Sequence, residues 1–136
     1  MTQQQPYSGY QALLGWVVTE QQPEQVTIEL QLVDHHLNRS GYVHGGVLAS
    51  LLDTAMSLAG LYTPHSERVR KAVTLSMTTT FVSPACEGTL TVIGRLRGGG
   101  RKTFMSTGEV FDDQGTLVAF GEGTFRLSSG SEKDAL

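Results

Sequence analysis

Residues 44–61 read HGGVLASLLDTAMSLAGL, a long apolar stretch that opens with two glycines. The stretch predicts a helix that is covered on nearly all sides, because a helix with apolar residues all round is normally buried. Asp53 is the only ionisable group between Gly45 and Tyr62. A charge buried in a core helix costs several kcal/mol unless another group compensates it. Asp53 therefore marks a candidate functional site.

The same stretch is about as long as a membrane span, which needs ~20 residues. It contains Asp53 together with two serines, a threonine and three glycines. An aspartate at the middle of a bilayer costs roughly 2.5–3.5 kcal/mol, and the chain has no second apolar stretch to pair with this one. We therefore expect a buried central helix and no membrane partner.

The residues on either side of this helix predict strands. Residues 26–32 alternate apolar and polar side chains, which is typical of a half-buried strand, and residues 16–18 would form its hairpin partner. A short helix that ends at a glycine is predicted over residues 10–15. Four further strands, rich in threonine and β-branched residues, are predicted over residues 71–82, 89–96, 103–111 and 117–127.

Short, turn-like connections between consecutive strands favour an antiparallel sheet. A curved sheet can also cover the apolar helix. The sequence therefore predicts an α+β fold in which a curved antiparallel β-sheet wraps around one long central helix. With 136 residues the chain is expected to form a single domain over residues 1–136, with flexible ends at residues 1–9 and 128–136.

Composition narrows the possible partners. The chain has 10 Lys and Arg against 13 Asp and Glu, a net charge of −3, which argues against nucleic-acid binding. Cys86 is the single cysteine, which excludes an internal disulfide and fits a reducing compartment. The first residues have neither the basic start nor the apolar run of a signal peptide. We therefore expect a cytoplasmic location.

The two glycines indicate what kind of site Asp53 belongs to. Gly45 and Gly46 leave N–H groups open at the positive end of the helix dipole, which suits an oxygen that becomes anionic during a reaction. Asp53 lies eight residues after Gly45, about 12 Å along the axis and on the same face. The two groups are too far apart to act on one carbonyl.

A second copy of the chain resolves this distance. If two such helices run antiparallel across a two-fold axis, the glycine end of one approaches Asp53 of the other. We infer a homodimer with two shared sites, provided that the two groups cooperate. Two alternatives stay open at this point. The glycines could serve close packing, and Asp53 could hydrogen-bond a buried hydroxyl or face an interface arginine.

Two other patterns predict no site of their own. His35, His36 and His44 could be read as a metal cluster, but adjacent histidines in a strand point to opposite faces, and no cysteine or carboxylate group supports them. We expect no metal. The three glycines at 98–100, with the basic pair that follows, lack the spacing of a phosphate-binding loop and predict a flexible turn between strands.

The loop and helix together carry a family resemblance. Residues 38–46 read NRSGYVHGG, and Asp53 lies nine positions after His44. With FVSPA at 81–85 and GTLVAFG at 115–121, this pattern resembles the hot-dog-fold acyl-CoA thioesterases of the phenylacetate-pathway (PaaI) type, over roughly residues 24–127. The resemblance implies a hot-dog fold and hydrolysis of an acyl-CoA to a free acid and coenzyme A. Coenzyme A would then be part of the substrate, with no other cofactor.

The resemblance also implies roles for individual residues. Asp53 would act on the thioester as general base or nucleophile, and the N–H of the partner subunit's Gly45 would stabilise the oxyanion. Asn38, six residues before His44, would orient the thioester or a water molecule. Thr74 falls where some relatives carry a serine that orients water.

Further candidates would contact the substrate rather than react with it. Three belong to the turn or to an acyl pocket next to the core, and three basic residues could meet the phosphates of coenzyme A. They are His44, Gly46 and Met77, and Arg97, Arg101 and Lys102.

The resemblance leaves some questions of function open. Relatives are often tetramers built from two dimers, so we expect a homodimer or homotetramer with active sites at the dimer interface. Aryl, hydroxyaryl and medium-chain acyl groups all fit. A hot-dog protein that binds acyl-CoA without turnover is the alternative function. A dehydratase or hydratase is disfavoured, because no histidine follows Asp53 within a turn or two of the helix.

Overall fold

The computed structural model describes residues 8–64 and 70–131. It contains one antiparallel six-stranded sheet, in the order β1-β2-β4-β5-β6-β3, and one long helix, which confirms the predicted fold class. The helices are α1 (Gly9–Leu14) and α2 (Gly45–Ala59), and a 3₁₀ turn covers Asp34–His36. The strands are β1 (Val17–Gln22), β2 (Gln25–Gln31), β3 (Ala72–Phe81), β4 (Thr89–Gly99), β5 (Thr103–Phe111) and β6 (Leu117–Leu127).

Most element bounds agree with the sequence prediction to within one or two residues, and those of β5 and β6 agree at both ends. The flexible turn predicted at residues 98–100 is wrong for its first two residues. Gly98 and Gly99 belong to β4 and pair with Met105 and Phe104 after a register shift at Leu96. Turn-forming composition does not prevent pairing here, because a bulge accommodates the extra residue.

The position of β3 in the sheet does not follow the order of the strands along the chain. β3 pairs with β6 at the edge of the sheet, whereas β4 lies between β2 and β5. The connection over residues 82–88 therefore carries the chain past β6 and β5. Turn signals such as Ser83-Pro84 predict where a strand ends, but they do not encode which strand it pairs with.

A row of three glycines positions α2 on the sheet. Gly94, Gly108 and Gly121 lie opposite one another on β4, β5 and β6. A Cβ on Gly94 would collide with the carbonyl oxygen of Ala55 in α2, and one on Gly108 would lie 3.0 Å from a methyl group of Leu52. The absence of these side chains lets the helix backbone approach the strands directly.

The other face of α2 is only partly covered, contrary to the expectation of cover on nearly all sides. The buried side chains, among them Leu51, Leu52 and Met56, face the sheet. Gly46 is exposed, and Ser50, Asp53 and Ser57 are only half-buried. These short or polar residues recur at spacings of three and four and form a stripe along α2. The stripe is partly exposed to solvent, although the helix as a whole is apolar.

Both ends of the described chain are held by hydrogen bonds. Ser8 caps α1 by accepting from the N–H of Gln11, and Gly15 ends the helix in the left-handed conformation. Ser128 N–H donates to the carbonyl of Lys71, and Ser131 Oγ accepts from the N–H of Lys71. The predicted flexible ends stay predictions for residues 1–7 and 132–136, which lie outside the described residues. Within the described ranges, no helix has the length and apolar character that a membrane span requires.

The glycine row predicts a position-specific sensitivity to added methyl groups. Gly94→Ala is expected to lower the free energy of unfolding by at least about 2 kcal/mol, because the methyl group meets rigid helix backbone. Gly98→Ala is the matched control in the same strand, since its Cβ would have no neighbour within 4 Å. Urea titrations of both variants measure the difference, and equal losses at the two positions would contradict the proposed packing.

Candidate active site

The carboxylate of Asp53 contacts strand β3. Thr74 Oγ1 donates a hydrogen bond of 2.6 Å to Asp53 Oδ1. Thr74 lies opposite the buried Phe125 and just before a register shift to Ser76, so its side chain lies on the face of the sheet that carries α2. The structure thus brings together two of the predicted site residues. Asp53 is half-buried rather than buried, because this face of α2 is open.

The start of α2 leaves one N–H group free. His44 is the N-cap, and its Nδ1 accepts from the N–H of Gly46 at 2.8 Å. The N–H of His44 itself donates to the carbonyl of His36 at 2.8 Å. Among the described residues, the N–H of Gly45 has no acceptor. Of the two glycine N–H groups predicted to be open, only that of Gly45 is therefore available to a ligand.

A cleft of about 310 Å³ adjoins Gly45. Phe81, at the end of β3, lines it and is 56% exposed, and a Cβ on Gly45 would lie 3.3 Å from its ring. The cleft is lined by Val43, Gly45, Leu48, Phe81, Val82, Ser83 and Pro84. Phe81 was not predicted to be a site residue, although the FVSPA segment is part of the family pattern.

Gly45 lies at the start of α2 and Asp53 lies near its middle, about two turns further along. Eight residues separate them, about 12 Å along the helix axis. β3 accompanies the helix over this length, with Thr74 beside Asp53 and Phe81 beside Gly45. A carbonyl group polarised at Gly45 is out of reach of the carboxylate of Asp53, so one chain does not complete a site in which both act on the same atom.

Asn38 shapes the loop before α2. Its Oδ1 accepts from the N–H groups of Ser40 and Tyr42 at 2.9 and 3.2 Å, and its N–H donates to the carbonyl of Tyr42. Gly41 adopts a φ of 82° within this turn. The turn brings the chain back so that Leu37 bridges to Val43 immediately before the helix. The structure shows no contact between Asn38 and Asp53.

The predicted substrate-contacting residues divide between the two faces of the sheet. Met77, on β3, lies opposite Gly123 of β6. It is half-buried against the core, on the same face of the sheet as Thr74. Arg97 lies on the outer face, where its Nε donates to Thr107 Oγ1 at 2.8 Å beside a depression of about 510 Å³ that Glu122 also lines. Arg97 and Asp53 of one chain are thus on opposite sides of the sheet.

The other two predicted basic residues lie away from Arg97. Arg101 and Lys102 are exposed at the turn between β4 and β5. Their side chains have no hydrogen-bond or ion-pair partner among the described residues, so both remain available to a ligand.

The adjacent histidines lie between β2 and α2 and not in a strand, so the argument from opposite strand faces does not apply to them. His35 and His36 lie in the 3₁₀ turn, with ring centroids 4.4 Å apart. His36 is buried: its Nδ1 accepts from the N–H of Val33, and its Nε2 donates to the carbonyl of Leu14. In residues 8–64 and 70–131 no three His, Cys, Asp or Glu side chains form a group that could hold a metal ion.

Comparisons with known proteins agree with this architecture. Residues 40–119 match the family model of the thioesterase superfamily. Acyl-coenzyme A thioesterase 13 of Mus musculus is 32% identical over 109 residues, which cover 79% of this chain and 76% of the relative. The protein of the same name from Homo sapiens is 33% identical over the same shares.

Two solved structures extend the comparison to the fold. The conserved protein PA5202 from Pseudomonas aeruginosa has a TM-score of 0.81 and 30% identity, covering 89% of this chain and 94% of that one. The E. coli PaaI protein from the phenylacetic acid degradation operon has a TM-score of 0.80 and 26% identity, covering 92% and 88%. The predicted hot-dog fold and the resemblance to hot-dog thioesterases are confirmed.

Proposed function

Because the chain belongs to the thioesterase superfamily and is a thioester hydrolase, we propose that its substrate is an acyl-coenzyme A. The names of its relatives support this substrate class. The observation that carries the proposal is the contact between Asp53 and Thr74, which holds a carboxylate at a fixed position on the open face of α2. Water and acyl-CoA would yield a free acid and coenzyme A.

Asp53 acts on the thioester as general base or as nucleophile. The Thr74 hydroxyl occupies Oδ1, and Oδ2 has no partner among the described residues. As a base, Asp53 takes a proton from a water molecule while the water oxygen bonds to the carbonyl carbon; the carbon–sulfur bond then breaks, and the sulfur of coenzyme A receives the proton. A thioester is activated enough for this chemistry without a metal ion.

The partner subunit's Gly45 supplies the oxyanion donor. Its N–H is free and lies at the positive end of the helix dipole, where a developing negative charge is stabilised. The separation of about 12 Å within one chain is the reason for assigning the donor to the partner. The side chain of His44 accepts from the neighbouring N–H of Gly46, which leaves the N–H of Gly45 as the donor at this helix end.

The exposed edge of β3 supports the homodimer. β3 runs over ten residues, AVTLSMTTTF, without a charge or a proline, although edge strands usually carry such residues to prevent pairing. Its exposed apolar side chains and those just after it are Val73, Leu75, Phe81 and Val82. Pairing of this edge with a second copy would bring the open faces of the two α2 helices together across a two-fold axis. A tetramer would add a second such dimer.

Three further residues complete the proposed site. Both hydrogen bonds to Asn38 Oδ1 come from its own turn, so its Nδ2 group is the part that would donate to the thioester or to water. Met77 would form part of the acyl pocket, next to Thr74 on β3. Gly46 would let the substrate approach the helix start, because it carries no side chain and is exposed.

Replacement of Asp53 tests the proposed chemistry. Asp53→Asn keeps the shape of the side chain but removes its basicity and nucleophilicity, so kcat/KM for thiol release from acyl-CoA should fall at least about 100-fold. Asp34→Asn is the control, because it removes an exposed carboxylate elsewhere. Circular dichroism verifies folding of both variants. Turnover by Asp53→Asn close to that of the wild type would refute the mechanism.

Mixed dimers test whether the site is shared. Gly45→Pro removes the N–H at the first helical position, where proline is tolerated, and Gly45→Ala adds a Cβ but keeps the N–H. Heterodimers of Asp53→Asn with Gly45→Pro contain one intact site if the groups come from different chains, and about half of the wild-type activity per dimer is expected. Mass spectrometry establishes that heterodimers have formed; inactive ones would place both groups in one chain.

The basic residues at the β4–β5 turn are proposed to meet the phosphates of coenzyme A. Arg101→Glu combined with Lys102→Glu should raise KM for acyl-CoA about three- to tenfold, the range expected for exposed charges. KM for the matching acyl-pantetheine, which lacks the nucleotide phosphates, should not change. Arg97→Gln in the same assay measures whether the basic residue on the outer face of the sheet also affects KM for acyl-CoA. An equal rise in KM for both substrates would exclude phosphate binding by the pair.

A further inference from the structure

The N-terminal helix α1 is anchored to the open face of α2 through one tyrosine. Tyr10 Oη lies 2.7 Å from Ser50 Oγ, and Ser50 Oγ lies 2.8 Å from the carbonyl oxygen of Gly46. A serine hydroxyl has a single hydrogen, and the carbonyl of Gly46 can only accept. Ser50 therefore donates to Gly46, and Tyr10 donates to Ser50.

This contact lies on the open face of α2, between Gly45 and Asp53 of one chain, which belong to the two different shared sites of the proposed dimer. Ser50 follows Gly46 by four residues and precedes Asp53 by three, so all three share one face of α2. Along the axis, Ser50 is about 6 Å from Gly46 and about 4.5 Å from Asp53. Thr74 and β3 approach this face from the edge of the sheet, whereas Tyr10 approaches it from α1.

The tyrosine ring is held in place but left exposed. Tyr10 is 53% exposed, while Trp16, which its ring meets edge-on at a centroid distance of 5.9 Å, is 6% exposed. Gln11 Nε2 donates to the carbonyl of Trp16, and the carbonyl of Leu14 accepts from the buried His36. An aromatic ring fixed at its hydroxyl and at its edge offers a rigid apolar surface at little conformational cost.

We propose that Tyr10 forms a wall of the acyl site and determines the preference of the enzyme for aryl over short alkyl acyl groups. The inference rests on the proposed function and adds a residue that selects among the acyl groups that the family resemblance implies. An aryl group bound next to Asp53 would meet the ring of Tyr10 in an edge-to-face or offset arrangement, whereas an acetyl group is too short to reach it. Phe81 is a second exposed ring, beside Gly45 at the start of the same helix.

The test compares benzoyl-coenzyme A with acetyl-coenzyme A. Tyr10→Ala should lower kcat/KM for benzoyl-CoA about two- to tenfold, the range that one aromatic contact supports, and alter that for acetyl-CoA less than twofold. Tyr10→Phe keeps the ring and should keep the preference. Leu13→Ala is the control on the same helix, because Leu13 is 68% exposed. Equal losses for both substrates, or no loss, would overturn the proposal.

A binding measurement separates this proposal from the proposed function. Calorimetry with a non-hydrolysable benzoyl-CoA thioether analogue should show about two- to tenfold weaker binding to Tyr10→Ala than to the wild type. If the wild type binds the analogue but cleaves neither substrate, the hydrolytic function fails and Tyr10 is still tested by this difference. If both proteins bind the analogue equally, the role of Tyr10 fails while acyl-CoA hydrolysis is unaffected.

Discussion

The close contact between α2 and the sheet is the constraint on which the rest of the structure depends. Gly94 has no side chain, so the strand backbone of β4 can lie against the helix backbone at Ala55. Asp53 is only two residues before Ala55, and the helix is rigid over this distance. The height and rotation of α2 above the sheet therefore determine whether the carboxylate reaches Thr74 at 2.6 Å. A packing feature thus sets the geometry of the candidate site.

The same packing leaves one side of the chain, formed by α2 and β3, without a packing partner. α2 presents its apolar face to the sheet and its short polar residues outward, while no residue of β3 is fully buried. The main-chain groups along the outer edge of β3 have no neighbouring strand within the described residues. Both features concern the same region, because Thr74 on β3 and Asp53 on α2 are in contact. Association with a second copy would satisfy the edge and close the site together.

Local patterns allowed much of this structure to be predicted from sequence. The bounds of α2, β5 and β6 follow from hydrophobic periodicity and from glycine and threonine placement, which act over a few residues. The glycine row was not predicted, because its three members lie on different strands and become neighbours only through pairing register. The pairing of β3 with β6 depends on the same non-local information. So does the contact of Thr74 with Asp53, which was not predicted, although the family pattern indicated both residues as members of the site.

In the candidate site, too, the sequence identified a residue, but the burial of that residue depends on contacts between distant parts of the chain. Asp53 was singled out as an isolated carboxylate, but the premise that it is buried is wrong for one chain, where it is half-buried. A half-exposed carboxylate retains contacts with water, so a single chain avoids most of the desolvation cost that a buried charge carries. That cost would arise only when a partner and a substrate cover the open face of α2. Bulk water would then leave the carboxylate, apart from the molecule that hydrolyses the thioester, at the stage when the substrate and a second helix N-terminus arrive. Electrostatic stabilisation of the oxyanion is strongest in such a water-poor site.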